Sequence, residues 1–218
     1  MNFLPSKKTM AGALGLILAM SAAHAHAAGS SKIHFQLFAN PAFAKCLARF
    51  PDDPSRPPRA DVTVTRGRLN DTLRLQLHNI KPKLAFDLFT VQNSAFNADG
   101  SSQGAPPNRG LAWYQSDIEV GPAGNATVDI KTILLDQIFG FDPIVGLQPT
   151  HTFHVGFWFD DPEDVGDCDP TRPLPTTPFN GEHNAGPLAM ISLPDARTGL
   201  GPLCTNPDFS TDPVTCNP

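Results

Sequence analysis

The run HTFHVGFWFDD at residues 151–161 limits what this chain can fold into more than any other stretch. Its bulk recurs every second residue, the period of a strand. Phe153, Val155, Phe157 and Phe159 fall on one face, and Thr152, His154, Gly156 and Trp158 on the other. Burying each large apolar side chain stabilises a fold by about 1.5–3 kcal/mol, so a face of three phenylalanines and a valine belongs in a core. The segment is therefore expected to be a central strand. Its reverse face is unusual, because glycine leaves the backbone bare between a histidine and an indole.

Other stretches keep the same period. Residues 61–68 set Val62 and Val64 inward against Thr63 and Thr65. Residues 72–78 set Leu73, Leu75 and Leu77 inward against Arg74, Gln76 and His78, and the turn at Leu69-Asn70-Asp71 makes the two a hairpin. A second hairpin is predicted from residues 111–120, through Gly121-Pro122-Ala123-Gly124, into residues 125–133. Its first strand points Ala112, Tyr114, Ser116, Ile118 and Val120 inward and Trp113, Gln115, Asp117 and Glu119 outward; its second points Ala126, Val128 and Ile130 inward. Shorter strands are expected at 33–37 and 188–193. Residues 84–92, LAFDLFTVQ, are apolar on both faces except at Asp87, so that strand is expected to be covered on both sides.

Helical spacing is brief: one or two turns within 42–50 and a short plug at 134–141. Four prolines close the first helical stretch at 51–58, residues 93–110 form a long Gly/Pro/Asn loop, and Pro170, Pro173, Pro175 and Pro178 hold an extended arm. Many short strands with little helix predict an all-β fold. The pattern resembles an immunoglobulin-like antiparallel β-sandwich of about eight strands, with one or two short helical turns and long Pro-rich loops.

The first residues predict export. Lys7 and Lys8 precede an apolar run at 9–23, and Ala25-His26-Ala27 offers a small-residue cleavage site, so residues 1–27 read as a secretory signal peptide. Residues 28–218 are then one domain with a disulfide-bound tail, in a periplasm or outside the cell. No cysteine follows the cleavage site to carry a lipid, and no later run is long enough to span a membrane. The chain carries a net charge of −5, and loss of the signal removes two lysines more. An acidic surface argues against nucleic acid and anionic membranes as partners. Four cysteines in an exported chain imply two disulfides, and the spacing suggests Cys204–Cys216 and Cys46–Cys168.

Three sites suggest themselves. Trp113, Gln115, His154 and Trp158 on outward faces would suit a carbohydrate or other surface ligand, with Asp117 nearby; alternatively the Pro-rich arm packs over the indoles. The acidic stretch 160–169, with Asp160, Asp161, Glu163 and Asp164, has the oxygen density of a Ca²⁺ loop without EF-hand spacing. His154 with Glu182 and His183 could hold Cu or Zn if the arm folded back, whereas His151 and His154 point to opposite faces. No GxSxG or HExxH motif is present, and pairs such as Asp117 with Glu119 or Asp160 with Glu182 arise by chance among 21 acidic residues. The expectation is an exported, non-enzymatic binding module, with a metal-binding protein or a purely structural surface protein as alternatives.

Overall fold

The computed structural model describes residues 32–67, 69–104, 109–132, 153–166 and 185–217. The chain there runs β1 (Lys32–Ala39), α1 (Ala44–Leu47), β2 (Arg59–Thr65), β3 (Asp71–His78), β4 (Ala85–Val91), β5 (Ala112–Glu119), β6 (Ala126–Thr132), β7 (His154–Phe159), α2 (Glu163–Gly166), β8 (Leu188–Ile191), β9 (Pro207–Asp208) and β10 (Thr215–Cys216). The fold is mostly β, as expected. Eight strands form one sheet in the order β5-β4-β7-β8-β1-β2-β3-β6, with every pairing between described strands antiparallel.

Strand β1 is the seam. Its first six residues pair with β2, from Lys32 opposite Thr65 to Leu37 opposite Ala60, while Phe38 and Ala39 pair with Ile191 and Met190 of β8. The two halves of the sheet thus share one strand, and both contribute residues to one buried core. From the β2-β3-β6 side come the rows Val64–Leu73–Ile130, Val62–Leu75–Val128 and Ala60–Leu77–Ala126. From the other side come Phe86, Leu88, Ile118, Val155, Phe157 and Phe159, all fully buried. The Phe86 ring lies 4.8 Å from Phe157 and 5.2 Å from Phe159. The phenylalanine row anticipated from the sequence does look inward, and the β2–β3 hairpin has the expected faces.

The second hairpin is not a hairpin. Its turn forms, with Gly121 N–H donating to Asn125 O at 3.1 Å, yet β5 pairs with β4 and β6 pairs with β3, at opposite ends of the strand order. Two anchors separate the arms. Lys83 N–H donates to Val120 O and Val120 N–H to Leu84 O, which keeps the end of β5 on β4. Ile80 N–H donates to Gly124 O and the Arg49 guanidinium to Ala123 O, which ties the turn to the other half. The turn is a corner between the halves rather than a tip.

Short elements finish the molecule. Helical turns α1 and α2 are one turn each, the first inside the stretch expected to be helical. The tail forms an unanticipated hairpin, β9–β10, and Cys204 bonds Cys216 as expected. Cys46 is also disulfide-bonded; Cys168, like the signal peptide, the 134–141 plug and the Pro-rich arm, lies outside the described residues. No helix among the described residues is long and apolar enough to cross a membrane.

Candidate functional site

The outward face of the β5-β4-β7-β8 half is not a solvent face. Phe89, Val91, Trp158, Leu188 and Ile191 project from it and form a second buried cluster with Ala95 and Phe96 of the loop after β4. That loop is well knit: Gln103 N–H donates to Ala95 O at 3.0 Å, Asn97 N–H to Ser101 O at 2.8 Å, and the Phe96 ring meets Phe38 edge-on at 5.3 Å. The glycine between His154 and Trp158 is not bare either. A Cβ on Gly156 would come within 3.0 Å of Ile191 Cγ1 and 3.1 Å of Met190 O, so the glycine exists to let β8 close up.

The four residues expected to form a ligand face are not brought together. Trp158 is 1% exposed beneath the covering loop, and His154 is 2% exposed, packed against Ser192 and Gly201. Trp113 is 40% exposed but sits on the opposite face of the sheet. It stands opposite Thr90, which stands opposite Val155 in the main core, whereas Trp158 stands opposite Asp87 and shares the outer face. The cause is a bulge. Leu88 pairs with Ser116 and Phe89 with Tyr114, leaving Gln115 as the extra residue. One extra residue reverses the alternation, so Asp117 and Glu119 point outward as predicted while Tyr114, not Trp113, joins them. Gln115 donates from Nε2 to Thr90 Oγ1 at 3.1 Å.

His154 is held in place from one side. Its Nδ1 lies 2.9 Å from Ser192 O and 3.1 Å from Ser192 Oγ, so the ring donates to the carbonyl. Ser192 Oγ accepts from Val155 N–H at 3.1 Å, and Ser94 Oγ donates to Ser192 O at 3.1 Å. Burial pushes the imidazole down to about 4, with the Arg109 charge adding to the effect, so it is neutral at pH 7.

One end of the same face is acidic. Asp87 of β4 lies directly opposite Asp117 of β5, and Asp160 follows β7 alongside, its N–H donating to Ala85 O at 3.0 Å. Tyr114 donates to Asp117 Oδ1 at 2.6 Å, and burial with that bond raises the phenol above its usual range. Burial, then the Asp160 and Asp117 charges, push Asp87 up to about 6; its Oδ2 is buried without a hydrogen-bond partner. The carboxylate pairs considered from sequence are replaced by Asp87 with Asp117. Asp87 was visible as the one polar residue in an otherwise apolar strand, but its partner was hidden by the unrecognised register.

The other end is basic and concave. Arg109 enters β5 through Gly110, whose φ of +66° and 2.5 Å approach of a would-be Cβ to Gln92 Oε1 admit only glycine. Arg109 O accepts from Asn93 N–H at 2.9 Å, and the guanidinium carbon sits 5.5 Å from the Trp158 ring centre. Its Nη1 is buried with no hydrogen-bond partner, and burial alone lowers the group to about 10. No carboxylate contributes to that shift. Arg109 lines a cleft of about 420 Å³ with Asn40, Pro41, Ala42, Ala95, Phe96, Gly100, Ser102, Gly104 and Leu188. Nothing in the sequence singled this arginine out, because its significance lies in having no anion beside it among the described residues.

The expected metal ligands are dispersed. Asp161 Oδ1 accepts from Glu163 N–H at 2.8 Å, Asp160 belongs to the acidic row, and Asp164 lies in α2. Glu182 and His183 lie outside the described residues. Among the described residues no three His, Cys, Asp or Glu side chains gather as a metal site. No family model, curated protein or solved structure matches this chain.

Proposed function

We propose that this is an exported, non-enzymatic binding protein whose site is the cleft beside Arg109. The two sheet halves sharing β1 are read as a sandwich of immunoglobulin-like type, carrying its site on one outer face. The observation that supports the reading is the guanidinium itself. A buried donor without an acceptor costs about 1–3 kcal/mol, more when charged, and a fold bears that cost where an external group completes the bonding. The cleft lies within the size range of small-molecule sites. Among the described residues its lining holds no carboxylate, histidine or cysteine to act as acid, base or nucleophile, which favours binding over catalysis.

A thermal-shift screen of neutral and acidic sugars and small organic acids tests this against Ala42→Trp. Ala42 is exposed at the cleft rim, so the indole would fill the opening without entering the core. Ligands that raise the melting temperature of the native chain should lose their effect in the variant. Shifts that persist, or an absence of any shift, would remove the cleft from consideration.

A second reading rests on Trp113, which remains partly exposed on edge strand β5 beside Gln115 as a stacking platform for a sugar ring. A glycan-array signal that vanishes in Trp113→Ala but survives in Ala42→Trp would favour it.

A further inference from the structure

We infer that the Arg109 cleft takes a monocarboxylate with a compact apolar body. The inference rests on the cleft being the binding site and goes on to name what fills it. Three features of the site select that chemistry.

The first is charge. Among the described residues Arg109 is the only charged member of the lining, and its shift has no cause but burial, so they present one positive charge with no counter-ion beside it. One guanidinium neutralises a carboxylate. A phosphate monoester carries up to two negative charges at pH 7 and leaves an uncompensated one in a dehydrated site.

The second is geometry. The guanidinium carbon sits 5.5 Å over the centre of an indole that offers it no acceptor, and that indole meets Phe89 edge-on at 5.4 Å. A ring face offers no acceptor, so the buried Nη1 keeps its N–H groups for a carboxylate, which a guanidinium binds through parallel bonds. Neighbouring His154 is neutral, so it does not compete for the anion.

The third is the rest of the wall. Pro41, Ala42, Ala95, Phe96 and Leu188 are apolar. Asn40 is already committed, its Nδ2 donating to Leu188 O at 2.9 Å and its Oδ1 accepting from Ala42 N–H at 3.1 Å. Ser102 Oγ accepts from Gly104 N–H at 3.2 Å and keeps its own proton to donate. A sugar, with a hydroxyl on almost every carbon, finds too few partners here; a hydrocarbon body with one acidic end is matched at both ends.

The test uses the full chain, a straight-chain series from butanoate to decanoate, the corresponding primary amides, and inorganic phosphate. The acids should raise the melting temperature and quench or shift Trp158 emission. The amides should bind tenfold or more weakly, and phosphate should have no effect. Arg109→Met should abolish the preference for acid over amide. In the absence of ligand the same variant should melt at or above the native temperature, because it removes a buried charge that no described residue compensates. Equal binding of acids and amides, tighter binding of phosphate, or a ligand-free Arg109→Met that melts well below the native chain would each overturn the inference. If the screen instead finds neutral ligands whose effect Ala42→Trp removes, the cleft remains the site and only its proposed ligand class fails.

Discussion

Asp87 stands directly opposite Asp117 across the β4–β5 ladder, two carboxyls sharing a hydrogen bond where two charges would repel. Asp87 is 4% exposed, whereas Asp117 is exposed and carries the bond from Tyr114. Below about pH 6 Asp87 therefore keeps its proton and shares it with Asp117 in that hydrogen bond.

That pair has a predictable effect on stability. The folded value of about 6 lies above the ordinary 3.8, so the folded state holds this proton more tightly than the unfolded state. The favourable contribution is complete below pH 3.8 and is lost as pH rises through about 6. Replacing Asp87 with Asn keeps the donor and removes the charge. Asp87→Asn should stabilise the protein at pH 7.5 by about 1–2 kcal/mol, allowing for screening at the exposed partner, and by much less at pH 4. Urea unfolding at the two pH values checks this; an equal effect at both would rule out the shared proton.

His154 works in the opposite direction. Its folded value of about 4 lies below 6.5, so the unfolded chain takes up the proton first and stability falls as pH drops from 6.5 through 4. A shift of that size is worth about 3 kcal/mol in total. His154→Gln can still donate toward Ser192 O but has no proton to gain. Its unfolding free energy should lie below that of the native chain at pH 7.5, and the gap should close or reverse at pH 4.5. Parallel pH profiles for the two proteins would show that His154 is not buried as a neutral ring.

Much of this architecture could be read from the sequence, because alternation is a local property. The Val62/Val64 and Leu73/Leu75/Leu77 rows and the phenylalanine row after Phe153 needed only a count of every second residue. What could not be read depends on pairing. The bulge at Gln115 is set by how β5 meets β4, and it moved Trp113 and Tyr114 to exchanged faces. The turn after Val120 looks the same in sequence whether it ends a hairpin or carries the chain to the other half, and only the anchors at Lys83 and Ile80 decide. The candidate site was least legible of all. Trp113, Gln115, His154 and Trp158 were chosen for residue type, whereas Arg109 and Asp87 matter because of what surrounds them.

Close packing at Gly156 predicts a graded response. Ala there would press its Cβ to 3.0 Å from Ile191 Cγ1, a contact that Ile191 can relieve by a few tenths of an ångström. Val would add two methyl groups beside Ile191 and the Met190 carbonyl, and that backbone oxygen, 3.1 Å from the Cβ position, cannot rotate away. Gly156→Ala should cost about 1 kcal/mol and Gly156→Val about 3 kcal/mol or more, comparable with Phe157→Ala at about 3–5 kcal/mol. Denaturant titration orders the three, and a Val variant as stable as the Ala variant would mean that β7 and β8 do not approach as closely as described.

The face reversal along β5 has an optical consequence. Trp113 stands on the edge strand at 40% exposure, and Trp158 lies at 1% beneath Ala95, Phe96 and Arg109. An indole in water emits at longer wavelength and meets a soluble quencher, while one in a packed apolar cluster does neither. Trp158→Phe leaves Trp113 as the only indole, and Trp113→Phe leaves Trp158. The first protein should emit to the red and be quenched by acrylamide several-fold more strongly than the second. Removing the cation over the ring with Arg109→Met in the Trp113→Phe background should then change the yield of the remaining indole without exposing it to acrylamide. If the two single-tryptophan proteins quench alike, the loop does not cover the outer face, and the cleft that Arg109 lines loses its wall.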